Sequence, residues 1–191
     1  DSDFFHLERH SAAEIVTTIL ELCSNRLPNS YNINPITDIQ VLSPMKKGEA
    51  GVINLNKALQ NILNPSKHHK NEKQFGQTVF REGDKVMQIK NNYNMPWESE
   101  ISGEGIGIFN GDIGYIQSVD ENNKKICVLF DDERLVCYDF NQTDELELAY
   151  AITVHKSQGS EFKIVVMPVY NAAPMHMKRN LFYTAITRAK E

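Results

Sequence analysis

Polar side chains able to bind a ligand are concentrated in one short stretch, AYAITVHKSQGSEF at residues 149–162. Its apolar start predicts a buried strand, which delivers the polar residues that follow onto a sharp turn. Open α/β sheets bind ligands at the C-terminal ends of their strands. Hydroxyl, imidazole and ammonium groups donate hydrogen bonds to phosphate oxygens, so we expect a phosphate-binding turn in which Glu161 accepts from a ribose hydroxyl. The other residues of this predicted turn are Thr153, His155, Lys156, Ser157, Gln158, Gly159 and Ser160.

Two further stretches carry basic residues at positions that a fold could fix. In RNLFYTAITRAK, residues 179–190, the apolar residues of a predicted helix hold Arg188 near the helix end. In VLSPMKKGEAGVINLNKALQ, residues 41–60, Lys46 and Lys47 lie in a loop after a strand. Each has an ordinary explanation as well. Arg188 could complement the dipole at a helix C-terminus, and the lysine pair could be a solvated turn.

The first part of the chain has the pattern of a helix, a strand and a second helix. The first helix, residues 11–27, begins with a capping box, S-x-x-E, and ends at Pro28. The apolar run at residues 39–42 predicts a buried strand, and Gly51 opens the second helix, which closes at residues 64–65. This order is typical of a parallel α/β sheet.

The middle of the chain, residues 78–146, alternates short apolar runs with turn residues, which predicts a small antiparallel barrel of five strands. The polar stretch before it, residues 64–77, is predicted to be a loop, and the glycine-rich residues 103–111 are predicted to be flexible. Trp97 could stack on a nucleobase, but packing on the insert is the commoner role and the one we expect.

The end of the chain returns to the α/β pattern. Apolar runs predict strands at residues 148–154 and 163–169, and a last helix from about residue 177 to residue 189. The architecture we expect is therefore an α/β domain interrupted by an all-β insert.

Composition and charge restrict the class of protein. The chain has 191 residues, of which 41% are hydrophobic and 24% charged, as in ordinary globular proteins. No apolar run approaches the ~20 residues of a membrane span. The three cysteines include no CxxC pair, so we expect reduced thiols in a cytoplasmic protein rather than a zinc site or a disulfide. The net charge of −5 argues only mildly against non-specific nucleic-acid binding. Six acidic residues fall in the predicted insert and its exit, away from residues 149–162 and 179–190: Asp131, Asp132, Glu133, Asp139, Asp144 and Glu145.

Several stretches of the chain resemble one known family. AITVHKSQGSEF closely resembles motif V of RecD-type superfamily 1 DNA helicases, and NLFYTAITRAK resembles their motif VI. VLSPMKKGEAGVINLNKALQ resembles the motif IV region, and GDKVMQIKNNYN with FNGDIGYI resembles the segments that flank and open an SH3-like insert. These matches follow the order of the family over most of the chain, which makes their combination far more specific than a single short pattern.

The resemblance implies a fold and a domain division. The fold would be a RecA-like α/β domain, of the P-loop NTPase type but lacking the P-loop, with an inserted small antiparallel SH3-like β-barrel. Residues 1–77 and 147–191 would form the RecA-like domain, called 2A. Residues 78–146 would form the insert, called 2B, together with a flanking strand of 2A.

The resemblance also implies a role for four residues at the nucleotide. Arg188 matches the motif VI arginine, which points at the γ-phosphate of ATP and stabilises charge in phosphoryl transfer. Gly159 and Glu161 match motif V positions near the nucleotide. Lys46 falls where related proteins carry a basic residue of motif IV.

A second group of residues is implied to bind single-stranded DNA. Thr153, His155 and Lys156 match motif V positions that touch the strand. Asn92 and Tyr93 are expected to line the same track. No metal-binding residues are expected in this chain.

One departure from the family pattern limits what the chain would do alone. It contains no G-x-x-x-x-G-K-[ST] motif, the loop that cradles the phosphates of a nucleotide. We therefore expect ATP and Mg²⁺ to be bound mainly by an N-terminal RecA-like half of the same polypeptide. The chain alone is expected to be inactive, and the full-length protein to be an ATP-dependent 5′–3′ DNA helicase similar to RecD, the alpha subunit of exodeoxyribonuclease V.

A different class of function stays open on the residues alone. The chain could be an ATP-independent module that docks a single strand or a protein partner. A complete small enzyme is disfavoured, because no nucleophile–base pair or metal-ligand cluster is evident.

Overall fold

A computed structural model describes residues 4–130, 133–169 and 179–189, without the side chains of residues 179–182. The chain divides into two compact units, which we describe separately. The first unit is Asp1–Leu63 with Tyr150–Glu191, and the second unit is Asn64–Ala149.

The first unit contains both helices and strands, whereas the second unit consists mainly of strands. The α-helices are α1 (Ala12–Glu21), α2 (Leu27–Tyr31), α3 (Val52–Leu63) and α4 (Arg179–Ile186). The strands are β1 (Ile39–Ser43), β2 (Glu72–Phe75), β3 (Thr78–Arg81), β4 (Lys85–Gln88), β5 (Asn92–Ser99), β6 (Gly103–Ile108), β7 (Ile113–Asp120), β8 (Lys125–Phe130), β9 (Leu135–Asp139), β10 (Leu146–Leu148), β11 (Ala151–Thr153) and β12 (Ile164–Val166). A π-helical turn occupies Leu22–Arg26, and 3₁₀ turns occupy Phe140–Glu145 and Val154–Ser157.

The first helix begins as the sequence predicts but runs further. The Ser11 hydroxyl accepts from the Glu14 N–H, while the Glu14 carboxylate accepts from the N–H of His10 rather than of Ser11, so only half of the predicted capping box forms. The predicted end at Pro28 is wrong. Pro28 directly follows a π-helical turn, Leu22–Arg26, in which the Leu27 N–H bonds to the Leu22 carbonyl, and the helical run continues past the proline. The helical run ends instead at Asn32, whose φ of 50° is left-handed.

A three-stranded parallel sheet is the centre of the first unit, with the order β11-β1-β12. Every residue of β1 is buried because this strand has a neighbour on each side. The helix α3 buries Val52, Leu55 and Leu59 as predicted, but Ile62 is 45% exposed, contrary to the predicted apolar face. The predicted strand at residues 148–154 is divided in two, because β10 pairs with β4 of the second unit whereas β11 pairs with β1.

The second unit contains a seven-stranded antiparallel sheet, with the order β10-β4-β7-β8-β9-β5-β6, and a separate hairpin of β2 and β3. The predicted count of five strands is therefore wrong. The predicted loop at residues 64–77 contains β2, and the stretch predicted to be flexible contains β6. The predicted turn at residues 131–132 lies outside the described residues. The apolar core of the sheet consists of Phe80, Val86, Met95, Ile108, Ile116, Val119, Ile126, Val128, Phe130, Val136, Tyr138 and Leu146.

Trp97 explains why a glycine-rich segment forms a strand. Trp97 on β5 is opposite Gly105 on β6, and its ring packs against the apolar core, so the expected packing role is confirmed. A Cβ atom at Gly105 would overlap the six-membered ring of Trp97. The absence of a side chain at this position therefore lets the indole lie across the neighbouring strand.

The expectation of reduced thiols is wrong for two of the cysteines. Cys127 on β8 and Cys137 on β9 are directly opposite each other, with 4.0 Å between their Cα atoms, and form a disulfide. The sequence does not reveal this pair, because only the register of the two strands makes the side chains neighbours. Cys23 is buried and forms no disulfide. Among the described residues, no helix is long and apolar enough to cross a membrane.

The contact between Trp97 and Gly105 gives a prediction about stability. We expect Gly105→Ala to lower the free energy of unfolding by ~1–3 kcal/mol, because the added methyl group overpacks the core. Urea denaturation followed by circular dichroism measures the change. In a double-mutant cycle, Trp97→Leu removes the ring and should make Gly105→Ala much less costly. Additive costs of the two substitutions would contradict the overlap.

Candidate functional site

The C-terminal ends of two parallel strands place the candidate residues of the first unit at one edge of its sheet. Ser43 ends β1, Thr153 ends β11, and the two residues are paired in the ladder. Because parallel strands end on the same side, the loop that carries Lys46 and the 3₁₀ turn that carries His155 and Lys156 begin side by side. The structure thus brings together two segments that are about a hundred residues apart in sequence.

Hydroxyl groups within this turn hold its conformation. The Thr153 hydroxyl accepts from the Lys156 N–H at 3.4 Å and caps the turn. Ser157 is fully buried and donates to the Val154 carbonyl at 2.7 Å. The exposed side chain of His155 and the partly exposed side chain of Lys156 are therefore better placed to bind a ligand than the two hydroxyls.

Gly159 is required by the backbone conformation of the turn. Its φ is +87°, a conformation that side chains with a Cβ rarely adopt, and no atom lies within 4 Å of the position of an added Cβ. The residue is exposed, as is Glu161 two positions later. This part of the turn therefore presents open backbone and one carboxylate to solvent.

Arg188 is joined to the same turn through its backbone and its side chain. Its carbonyl accepts from the Phe162 N–H at 2.7 Å, next to a parallel bridge between Phe162 and Ala189. Its guanidinium donates to the Ser160 carbonyl at 3.2 Å and to the Thr187 hydroxyl at 3.4 Å. The structure therefore brings Arg188 beside the segment that contains Gly159 and Glu161.

The environment of the Arg188 guanidinium suits an anion. Its Nε atom is buried and makes no hydrogen bond, and within the described part of the chain no carboxylate lies at ion-pair distance from it. The side chain is partly buried, and a positive charge that is partly removed from water without an anionic partner is unfavourable. Binding of a phosphate oxygen would supply both the hydrogen bonds and the opposite charge.

The structure tests only part of the predicted packing of the helix before Arg188. Ala185 is buried, as predicted, but Ile186 is 47% exposed and does not fix the helix. The side chains of Leu181 and Phe182, predicted to be apolar anchors, lie outside the described residues, as do residues 177–178 at the predicted helix start. The bridge between Phe162 and Ala189 also positions Arg188, and no short sequence pattern signals such a bridge.

The loop before α3 has a compact internal structure. The Ser43 hydroxyl contacts the carbonyls of Met45 and Ala50, and the Val52 and Ile53 N–H groups donate to the Met45 and Lys46 carbonyls at 3.0 and 3.2 Å. The first N–H groups of α3 are thus used inside the loop. The exposed side chain of Lys46, rather than the helix N-terminus, is the group able to reach a phosphate.

Asn92 and Tyr93 lie in the second unit, at the start of β5. The Asn92 amide donates to both oxygens of the Glu145 carboxylate at 3.1 Å, and the same carboxylate accepts from Gln88 at 2.8 Å. Gln88 in turn accepts from the buried Tyr138 hydroxyl, and burial raises the pKa of that phenol. Tyr93 is 64% exposed. Asn92 therefore connects β5 to the rest of the unit, whereas Tyr93 is accessible.

Two family models match this chain. Residues 55–130 match the SH3 domain of the ATP-dependent RecD-like DNA helicases. Residues 148–191 match the UvrD-like helicase C-terminal domain. The first match lies mostly in the second unit, and the second match covers the turn after β11 and the segment that contains Arg188.

Curated relatives agree with the two models. The chain is 35% identical to the ATP-dependent RecD2 DNA helicase of Deinococcus radiodurans, over 80% of this chain and 19% of that protein. It is 30% identical to the RecBCD enzyme subunit RecD of Haemophilus influenzae, over 80% of this chain and 20% of that protein. The chain thus spans about a fifth of the length of these relatives.

Solved structures show a related fold. A Bacteroides Pif1 bound to single-stranded DNA superposes with a TM-score of 0.53 and 16% identity, over 93% of this chain and 47% of that chain. A Bacteroides Pif1 helicase in complex with ADP-AlF3 and single-stranded DNA superposes with a TM-score of 0.53 and 18% sequence identity, over 95% of this chain and 44% of that chain. The chain therefore has a helicase-like α/β fold.

The positive φ of Gly159 gives a prediction about the turn. Gly159→Ala should lower the free energy of unfolding by ~1–2 kcal/mol, because a Cβ is unfavourable in the left-handed region. Gly159→Asn should cost less, since asparagine tolerates that region better. Thermal and urea unfolding of both variants measure the difference. A larger cost for asparagine than for alanine would indicate that space, rather than conformation, requires the glycine.

Proposed function

The chain is a relative of the RecD-type superfamily 1 helicases, and on that premise we propose that it is the C-terminal motor portion of an ATP-dependent 5′–3′ DNA helicase. The observation that carries the proposal is the contact of Arg188 with the turn at Ser160. This contact places a guanidinium group, which is always charged, beside the turn that the resemblance assigns to the nucleotide. The alternative, an ATP-independent docking module, gives no reason for this arrangement.

The proposed nucleotide site lies between this chain and an N-terminal RecA-like half of the same polypeptide. This chain contributes Arg188 and Lys46 to the phosphates, and Gly159 and Glu161 to the remainder of the nucleotide. Guanidinium and ammonium groups are the usual protein donors to phosphate oxygens, and Arg188 approaches bidentately. The described residues contain no group of acidic side chains able to hold a metal ion. The other half would supply the phosphate-binding loop and the ligands of Mg²⁺.

In the proposed reaction, ATP would supply the transferred phosphoryl group, and Arg188 would stabilise the charge that develops on it. The guanidinium would reach the γ-phosphate only when ATP draws the two halves together, and hydrolysis would release this contact. ATP hydrolysis would thereby be coupled to movement of the two halves. The isolated β-bridge between Phe162 and Ala189 joins the segment of the arginine to the end of the turn, which suits a group that must act at a defined position.

Single-stranded DNA is the proposed second ligand. His155 and Lys156 are placed to contact its phosphates, while Thr153 supports them by capping their turn. Such contacts position a strand without reading its sequence, as a motor requires. In the second unit Tyr93 offers an exposed ring, and Asn92 is bonded to Glu145.

The proposed domain division follows the family pattern. We propose that residues 1–77 and 147–191 form the RecA-like domain 2A and that residues 78–146 form an SH3-like 2B insert with a flanking 2A strand. The match of residues 55–130 to an SH3 domain supports the position of the insert.

The first test of the function is Arg188→Ala in the full-length protein. We expect DNA-stimulated ATP hydrolysis to fall by about 10³–10⁵, as for other arginines that stabilise phosphoryl transfer. Arg188→Lys should restore little, since a point charge does not replace the bidentate fork. A steady-state ATPase assay measures both variants.

The control for this experiment is DNA affinity without nucleotide. Affinity should stay near that of the unaltered protein, because Arg188 is not among the proposed DNA contacts. ATP hydrolysis at the unaltered rate would contradict the role of Arg188. Loss of ATPase and DNA binding together, with loss of folded structure, would leave the role without support.

The second test concerns Lys156→Ala in the full-length protein. It should weaken binding to all single strands by a similar factor and reduce the slope of log affinity against log salt by about one. Fluorescence anisotropy titrations with strands of different sequence, at several salt concentrations, measure both quantities. Lys163→Ala is a matched control that removes an exposed lysine from the position just before β12. An unchanged slope for Lys156→Ala would remove this lysine from the DNA track.

A further inference from the structure

The buried side chain of Asn56 makes an unusual pair of contacts with one residue of the sheet. Asn56 lies on α3 and is 6% exposed. Its Nδ2 donates to the Ala151 carbonyl at 2.9 Å, and its Oδ1 accepts from the Ala151 N–H at 2.8 Å. A single amide side chain therefore binds both backbone groups of a residue that is 95 positions away in sequence.

These contacts replace a missing neighbouring strand. Among the described strands β11 is at the edge of its sheet, with β1 on one side only. The Val41 N–H donates to the Tyr150 carbonyl, so the alternation of backbone groups directs the N–H and carbonyl of Ala151 away from β1. The Asn56 amide has the same donor and acceptor as a peptide group, and it binds Ala151 as a paired strand would.

The position of Asn56 links two segments that bind different proposed ligands. α3 follows the loop that carries Lys46, and the Ile53 N–H bonds to the Lys46 carbonyl one turn before Asn56. β11 ends at Thr153, two residues after Ala151, where the turn with the proposed DNA contacts begins. A displacement of α3 would therefore act directly on β11.

We propose that Asn56 is a positioning residue that couples the nucleotide-side loop to the DNA-side turn. The inference rests on the proposed function and deepens it. When a nucleotide displaces the Lys46 loop, α3 moves with it, and the Asn56 amide transmits the movement to Ala151. The coupling is reciprocal, so single-stranded DNA at the turn changes the loop by the same connection.

The alternative to coupling is that Asn56 only stabilises the fold. A structural role would lower the stability of the protein but leave the response of ATP hydrolysis to DNA unchanged in molecules that remain folded. The ratio of DNA-stimulated to DNA-free ATP hydrolysis therefore distinguishes the two roles.

The experiment measures this ratio in the full-length protein with Asn56→Ala and Asn56→Asp, using an oligothymidylate as the strand. We expect the ratio to fall by about fivefold or more, within the usual range of coupling between sites. DNA-free hydrolysis should stay within about twofold, because the two Asn56 contacts that carry the proposal are with Ala151 of β11 and not with a proposed nucleotide contact. Asn56→Asp keeps the shape of the side chain and the acceptor for the Ala151 N–H, but it loses the donor to the carbonyl.

Leu59→Ala is the matched control. Leu59 is buried on the same face of α3, one turn after Asn56. Its truncation should lower the melting temperature and leave the ratio unchanged. All variants are assayed at a temperature at which circular dichroism shows them folded. An equal fall of the ratio in Leu59→Ala would overturn the proposal, because packing of α3 would then be sufficient to explain it.

A second measurement needs no substitution. In the unaltered full-length protein, hydrogen exchange of the peptide containing residues 149–153 should change when a non-hydrolysable ATP analogue is added without DNA. No change there would overturn the coupling, even if the Asn56 variants fail to fold.

Failure of the inference is distinct from failure of the proposed function. If DNA does not stimulate ATP hydrolysis by the unaltered protein, the proposed function fails. The inference about Asn56 then fails with it. If DNA stimulates ATP hydrolysis by the same factor in the unaltered protein and in Asn56→Ala, the coupling role fails while the helicase proposal stands.

Discussion

The pairing of β1 with β11 is the constraint on which the candidate site of the first unit depends. It aligns Ser43 with Thr153, so that the loop and the turn leave the sheet at neighbouring positions. Both strands are too short to be stable alone, and burial of their apolar side chains in the core of the unit provides the stabilisation. A change of register by one residue would reverse the faces of β11 and separate Ala151 from Asn56.

Many polar groups near the candidate site of this unit are already hydrogen-bonded within the protein. The Thr153 and Ser157 hydroxyls complete hydrogen bonds inside the turn, and the first N–H groups of α3 bond to the loop before it. Since buried polar groups must be paired, these contacts leave a small set of side chains for ligands. Arg188 differs from them because its Nε has no partner, which fits a residue completed by a bound anion.

The second unit is built on different interactions. In its sheet, side chains of one segment contact residues of another segment that is distant in sequence. Trp97 lies over Gly105, Arg134 contacts Asp112 at 2.8 Å, and Glu145 accepts from Asn92. The outward cysteines of β8 and β9 add a covalent link between adjacent strands. Such cross-strand contacts make a glycine-rich hairpin an ordered part of the sheet although its local propensity for strand is low.

Local sequence patterns were sufficient for the features that depend on neighbouring residues. They identify the start of α1 at Ser11, the strand β1, the helix α3 and the motifs that indicate a RecD-type helicase, because capping, periodicity and motif spacing are local properties. They missed β2, β6 and the Cys127–Cys137 pair, and they extended one strand across residues 149–150. Tertiary structure decided these features, and with them the Asn56–Ala151 contact and the attachment of Arg188 to its turn. The physical reason is that strand partners and register depend on burial and hydrogen bonding between residues far apart in sequence, which no local pattern contains.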